Sequence, residues 1–336
     1  MRRTPNLCPV SHTPFFSLPG MSRDRQRIEE ALVAAVNTND AYLNELARHL
    51  IVAGGKRLRP VLTVVAAQAS SGDSESFLGD AVQGGIACEL VQTGSLYHDD
   101  VIDESTTRRG VETVNAKWGN LQAILAGDFL LARASEIAAS LGAEVAGLLG
   151  HTIARLCEGE IEQLRHTYDM ARPESSYFSS IEGKTASLFS TAARIGGIVA
   201  NADRGIIDAL TNYGLAYGMV FQIVDDILDI TATDQQLGKP AGHDMEEGVY
   251  TLPVLRTLLG ADVAADELRE LLGHPLDSAA RDKALAIVRA GVGVAAAREA
   301  GVAYVGLACA ACAGLPDNAA TQAMRLAPQA LLDSVS

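Results

Sequence analysis

Basic residues and aromatics are scarce in this chain. Of its 336 residues, 27 are Lys or Arg and 41 are Asp or Glu, a formal net charge of −14 with a pI near 4.9. That balance excludes nucleic acid as a general partner, because a phosphate backbone demands a basic face. Aromatics make up only 5%, so a core must come mainly from Ala, Leu, Val and Ile. The five cysteines, Cys8, Cys88, Cys157, Cys309 and Cys312, form an odd, scattered set that excludes a disulfide framework and fits reduced thiols in a cytoplasmic protein. Cys309 and Cys312 make a CxxC, but no second CxxC or His pair accompanies them, and their Ala-rich setting reads as core packing. No stretch reads as a transmembrane helix; the longest uncharged run, 300–316, is moderately apolar, closed by Pro316 and expected to be a buried helix. Residues 1–20 are broken by prolines and lack the apolar run of a signal peptide. Residues 1–22 are therefore expected to be a disordered extension, with Met21 an alternative start, and 23–336 a single domain without an internal linker.

Alternating β-branched runs are also few. From about residue 23 apolar residues recur at three and four spacing, punctuated by Gly, Pro and capping residues, so the expected fold is all-α, a single bundle of a dozen or so helices around a central cavity. Helix starts are predicted near Ser22, Ser74, Asp203 and Asp317, and the last helix is predicted to end near Leu332.

The chemistry concentrates at 84–110, GGIACELVQTGSLYHDDVIDESTTRRG. Asp99, Asp100 and Asp103 close an apolar helical segment, and Arg108 and Arg109 follow. On a helix Asp103 lies only about 40° round from Asp99 and one turn on, so both carboxylates face the same space. Such carboxylates repel one another unless a cation sits between them, and hard oxygen donors suit Mg²⁺ shared with substrate phosphates. The spacing repeats in FQIVDDILDI at 221–230, as Asp225, Asp226 and Asp229. A third element, GGKRLRP at 54–60, places Lys56, Arg57 and Arg59 at a helix start, where free backbone N–H groups favour an anion. Gln92 lies about 20° from Asp99 on the same stripe. His98 points elsewhere and reads as structural; Glu158, Glu160 and Glu162 read as a polar helix face.

These motifs together resemble the trans-isoprenyl diphosphate synthases, or polyprenyl synthetases, over roughly residues 25–335. The resemblance implies a prenyltransferase that elongates an allylic diphosphate with isopentenyl diphosphate, a homodimer, and Mg²⁺, about three ions per site, held by the six aspartates. It assigns isopentenyl diphosphate to Lys56, Arg59, Gln92 and Arg109. It assigns the allylic diphosphate to Arg108, to Lys184 and Thr185 in EGKTASLFS, to Gln222, and to Lys239 in the polar loop after the second cluster. This chain departs from the family at 248–252, where GVYTL replaces GKxTL and Val249 stands in place of a lysine.

Where short-chain members of the family carry a bulky floor four and five residues before the first aspartate, this chain has Ser95 and Gly94. With Val91 and Cys88, and with Gly85 and Gly84 further down, they predict a small-sided wall along which a growing tail could run, and hence a product beyond C20. The alternatives are a C15–C20 synthase, a class I terpene cyclase and a non-catalytic partner subunit. A cyclase would show one DDxxD with an Asn/Ser/Glu metal motif; a non-catalytic subunit would be inactive when purified alone.

Overall fold

The computed structural model describes residues 13–71, 75–233 and 241–335. The predicted start at Ser74, and Lys239, lie outside them. Between its connecting turns and loops the described chain is helical, apart from an antiparallel pair of two-residue strands, Thr107–Arg108 and Val111–Glu112, in the turn after the first aspartates.

The order is α1 Met21–Ala35, α2 Ala41–Val52, α3 Leu58–Ser71, α4 Leu78–Ile102, α5 Val114–Trp118, α6 Asn120–Ser140, α7 Ala143–Leu164, α8 Glu174–Ile181, a π-helical turn Glu182–Ala186, α9 Ser187–Val199 and α10 Arg204–Thr231. Then follow α11 His243–Glu246, α12 Leu252–Leu258, α13 Val263–Leu271, α14 Ser278–Ala290, α15 Gly293–Ala311 and α16 Ala319–Asp333. The two longest helices, α4 and α10, are central: α4 packs against α3, α6 and α9, while α10 packs against α9 and α15. Burial on nearly every side explains why α4 shows no one-sided apolar stripe.

Local chemistry sets most ends. Asp40 caps α2 by accepting from the amides of Tyr42 and Leu43, and Asp203 precedes α10 as predicted. The last start falls at Asn318 rather than Asp317, because the Asn318 side chain accepts from the Thr321 amide at 2.9 Å and also ties back to the carbonyls of Gln68 and Ala69. That helix ends at Asp333, one residue beyond expectation.

Three expectations are corrected. The disordered extension does not reach residue 22, because Pro14–Ser17 forms a 3₁₀ turn whose Phe15 is fully buried against Tyr217, with ring centroids 5.7 Å apart. Gly293–Gly314 is long and apolar enough to cross a membrane, with a mean hydropathy of 1.3, and only 22% of its apolar window is buried. The run 300–316 is thus not a buried helix: one stripe, including Gly301, Val305 and Ala308, faces the core, while Leu307 is 58% exposed. On the same helix Cys309 is exposed, and only Cys312 packs inside.

Candidate active site

Both aspartate clusters sit at C-terminal helix ends, Asp99, Asp100 and Asp103 on α4 and Asp225, Asp226 and Asp229 in the last turns of α10. The negative end of a helix macrodipole repels carboxylates, so neither position favours folding on its own. Burial adds to the repulsion. Asp99 lies above the ordinary carboxylate range because of burial, with Glu160 and Asp100 adding to the shift and Lys184 and Arg108 opposing it. At the α4 cap, burial, then Glu247 and Asp99, push Asp103 up to about 6, although Lys184 opposes them. Asp226 is raised well above its usual range by burial, Asp244 and Asp225, against hydrogen bonds from Tyr177 and Gln222.

Lys184 lies amid this charge. It sits in the π-helical turn, which α7 can approach because Gly159 and Gly183 meet there; a Cβ on Gly159 would stand 2.5 Å from the Lys184 nitrogen. That approach brings Glu160 to 2.5 Å from the Lys184 ammonium. Burial opposes the charge on Lys184, but Glu160, Asp99 and Asp103 outweigh it and raise its pKa. Glu160 is therefore part of the site rather than of a solvated face. Asp244 and Glu247, raising Asp226 and Asp103, are two further acids that the sequence reading did not single out.

Two of the allylic assignments, Thr185 and Gln222, join in a chain of contacts. The Thr185 hydroxyl donates to Gln222 at 2.7 Å, Gln222 donates to Asp226 at 2.8 Å, and the buried Tyr177 hydroxyl donates to the other Asp226 oxygen. Behind Tyr177, the buried Arg172 donates to Ser180 and to the Tyr250 carbonyl. Val249 is half-buried and its amide donates to the Asp244 carbonyl at 2.7 Å.

Around GGKRLRP the three cations part ways. Arg57 is 2% exposed and turns inward to Glu29 and Glu89, so it holds the loop rather than an anion. Arg109 anchors the same loop through the carbonyls of Leu50 and Gly54. Lys56 and Arg59 are only partly buried, as is Gln92 on α4. Arg108 pairs with Asp100, whose other oxygen is buried without a hydrogen-bond partner. His98 reaches the Ile124 carbonyl on α6, consistent with a structural role.

Among the described residues, no three acidic, His or Cys side chains converge into a closed ion cage. An ion sharing its shell with phosphate and water needs only one or two carboxylates. The orphaned Asp100 oxygen and the raised aspartates fit a divalent cation completed by a bound diphosphate.

The small-residue wall is corrected in part. Asp99, Ser95 and Gln92 share one half-exposed stripe, but Val91 and Cys88 are fully buried. Lower down, a Cβ on Gly84 would stand 2.4 Å from Ile195 Cγ2, and one on Gly85 would stand 2.6 Å from the Pro60 Cα. On another face a Cβ on Gly94 would meet the Gly127 carbonyl at 3.0 Å. These glycines serve close helix packing, so the open stripe ends within about two turns of the aspartates.

The polyprenyl synthetase family model matches residues 40–288. The nonaprenyl diphosphate synthase of Mycobacterium tuberculosis is 37% identical over 292 residues, 87% of this chain and 86% of that protein. Among solved structures, a decaprenyl diphosphate synthase from Rhodobacter capsulatus superposes with a TM-score of 0.85 at 33% identity, covering 96% of this chain and 98% of that one. A polyprenyl synthase from Caulobacter crescentus, complexed with calcium and isoprenyl diphosphate, gives 0.87 at 32%, covering 96% and 97%. A geranylgeranyl pyrophosphate synthase from Corynebacterium glutamicum gives 0.81 at 34%, covering 94% and 96%.

Proposed function

Because this chain belongs to the polyprenyl synthetase family, we propose that it is a prenyltransferase that condenses isopentenyl diphosphate with an allylic diphosphate in the trans sense. The observation that carries the reading is the partly buried Lys184 lodged among Asp99, Asp103 and Glu160, next to Thr185, whose contacts lead through Gln222 to Asp226 of the second cluster.

Lys184, Thr185, Gln222, Arg108 and Lys239 hold the allylic diphosphate, and Lys56, Arg59, Gln92 and Arg109 hold isopentenyl diphosphate. Bound at the six aspartates, Mg²⁺ supplies Lewis-acid pull on the allylic leaving group. The side chains orient the two substrates and exclude water while the allylic C–O bond breaks. The isopentenyl double bond then forms the new C–C bond, and the adjacent carbon gives its proton to the departing diphosphate. No side-chain nucleophile is needed.

A product beyond twenty carbons is supported by the nonaprenyl and decaprenyl synthases among the similar proteins and by the small side chain at Ser95. The alternative, a C15–C20 product, has a counterpart in the geranylgeranyl pyrophosphate synthase among the similar structures. Homodimerisation is supported by the apolar face of α6, where Leu121, Ile124 and Leu125 are 65%, 41% and 56% exposed. The unpaired thiols Cys88, Cys157, Cys309 and Cys312 agree with a cytoplasmic setting.

Asp99→Ala or Asp225→Ala is expected to lower turnover by several orders of magnitude at saturating Mg²⁺ with helicity unchanged by circular dichroism. Near-normal turnover in either variant would remove the metal assignment.

A further inference from the structure

The cations of the GGKRLRP segment are held in different ways. Arg57 has two carboxylates, Glu29 and Glu89. Arg59, two residues on, forms no ion pair among the described residues, and its Nε is buried without a hydrogen-bond partner. Burial pushes its pKa down to about 10, against the pull of Glu89, a carboxylate already paired with Arg57. What lies against it is a ring: its guanidinium carbon is 4.5 Å from the centroid of Phe189 on α9.

That ring is fixed. Phe189 is fully buried, edge-on to Tyr217 at 5.6 Å and tilted against Phe221 at 5.1 Å. Phe221 in turn lies 5.8 Å from the Lys56 ammonium, so two adjoining rings form one floor beneath both cations. A ring face attracts a cation through its quadrupole and takes no proton from it, accepts no strong hydrogen bond and carries no net charge. A carboxylate in the same place would orient Arg59 equally well, but it would neutralise the charge and occupy the donors that an incoming diphosphate requires.

Resting on the substrate reading above, we propose that Phe189 is a positioning residue for the isopentenyl diphosphate site: it fixes Arg59 in place while leaving its full charge and its N–H groups for the substrate. Phe189 also lies one helical turn beyond Thr185, on the allylic side. A purely structural role would therefore disturb both substrates together, whereas positioning through Arg59 disturbs one.

The test compares Phe189→Met, which keeps much of the volume and removes the ring face, with Phe189→Tyr, which keeps the face. KM is measured for each substrate, and equilibrium binding of isopentenyl diphosphate is followed by calorimetry. Phe189→Met is expected to weaken isopentenyl diphosphate about 5- to 20-fold in KM and in direct binding, the range of a partly desolvated cation–π contact. The allylic KM and kcat should change less than about twofold, and Phe189→Tyr should retain wild-type binding. Where Phe189→Met does not fold, Phe189→Leu takes its place. Unchanged isopentenyl diphosphate binding, or equal losses for both substrates, overturns the proposal. A wild-type chain that binds no isopentenyl diphosphate overturns the substrate reading and this proposal with it.

Discussion

Ser95 and Gly94 are neighbours on α4 with opposite surroundings. Ser95 shares the half-exposed stripe of Asp99 and Gln92, and its hydroxyl bonds back to the Gln92 carbonyl. Gly94 closes on the carbonyl of Gly127. A bulky side chain at 95 is therefore expected to intercept the tail: Ser95→Tyr should shorten the product by one or more five-carbon units and preserve the first condensation, as read by chain-length chromatography. Gly94→Ala should leave product length unaltered, because its side chain meets the Gly127 carbonyl and Leu131 rather than the stripe. An unchanged product from Ser95→Tyr would mean that the tail leaves by another face. At this scale the aspartates were legible because one helical period and a repeated spacing suffice to place them. Glu160 was not, since its role depends on Lys184, which lies in a different element and reaches it only through the π-helical turn.

Elements were legible wherever periodicity ran long enough to separate a buried face from an exposed one. The turn Pro14–Ser17 escaped because it is too short for a period and its prolines imitate a loop; only the burial of Phe15 against Tyr217 reveals it. Through Tyr217 that turn braces α10, the helix that carries the second aspartate cluster. Phe15→Ala is expected to cost about 3–5 kcal/mol, the usual range for emptying a buried Phe site, seen as a lower denaturation midpoint. A change below about 1 kcal/mol would mean that the turn merely rests on the domain. The helix 293–314 misled in the other sense, since a low-charge Ala/Gly-rich composition looks the same in a core helix and in one that is largely exposed.

For the whole molecule, the net charge of −14 and the gathering of raised aspartates describe a protein that folds against its own electrostatics. A carboxylate whose folded pKa exceeds its unfolded value keeps its proton longer when folded. Its contribution to stability is present below the ordinary carboxylate range and is lost as pH rises through the folded pKa. Asp103, at about 6, places part of that loss between about pH 4 and 7. Without divalent cations, Asp103→Asn should therefore gain in thermal midpoint relative to wild type as pH rises across this window, and millimolar Mg²⁺ at pH 7 should narrow the gap by stabilising wild type more. A gap that is independent of both pH and Mg²⁺ would show that the cluster is not strained as described.

The central claim is that the two aspartate clusters and the cations between them form one site for metal-assisted prenyl transfer. Its most direct test incubates the purified chain with radiolabelled isopentenyl diphosphate and farnesyl diphosphate, with Mg²⁺ or with a chelator, and resolves the products by length. The expected result is labelled product longer than twenty carbons with Mg²⁺ and none with the chelator. Label remaining wholly in isopentenyl diphosphate with Mg²⁺ present, while farnesyl diphosphate is ionised to cyclic hydrocarbons or left intact, would contradict it.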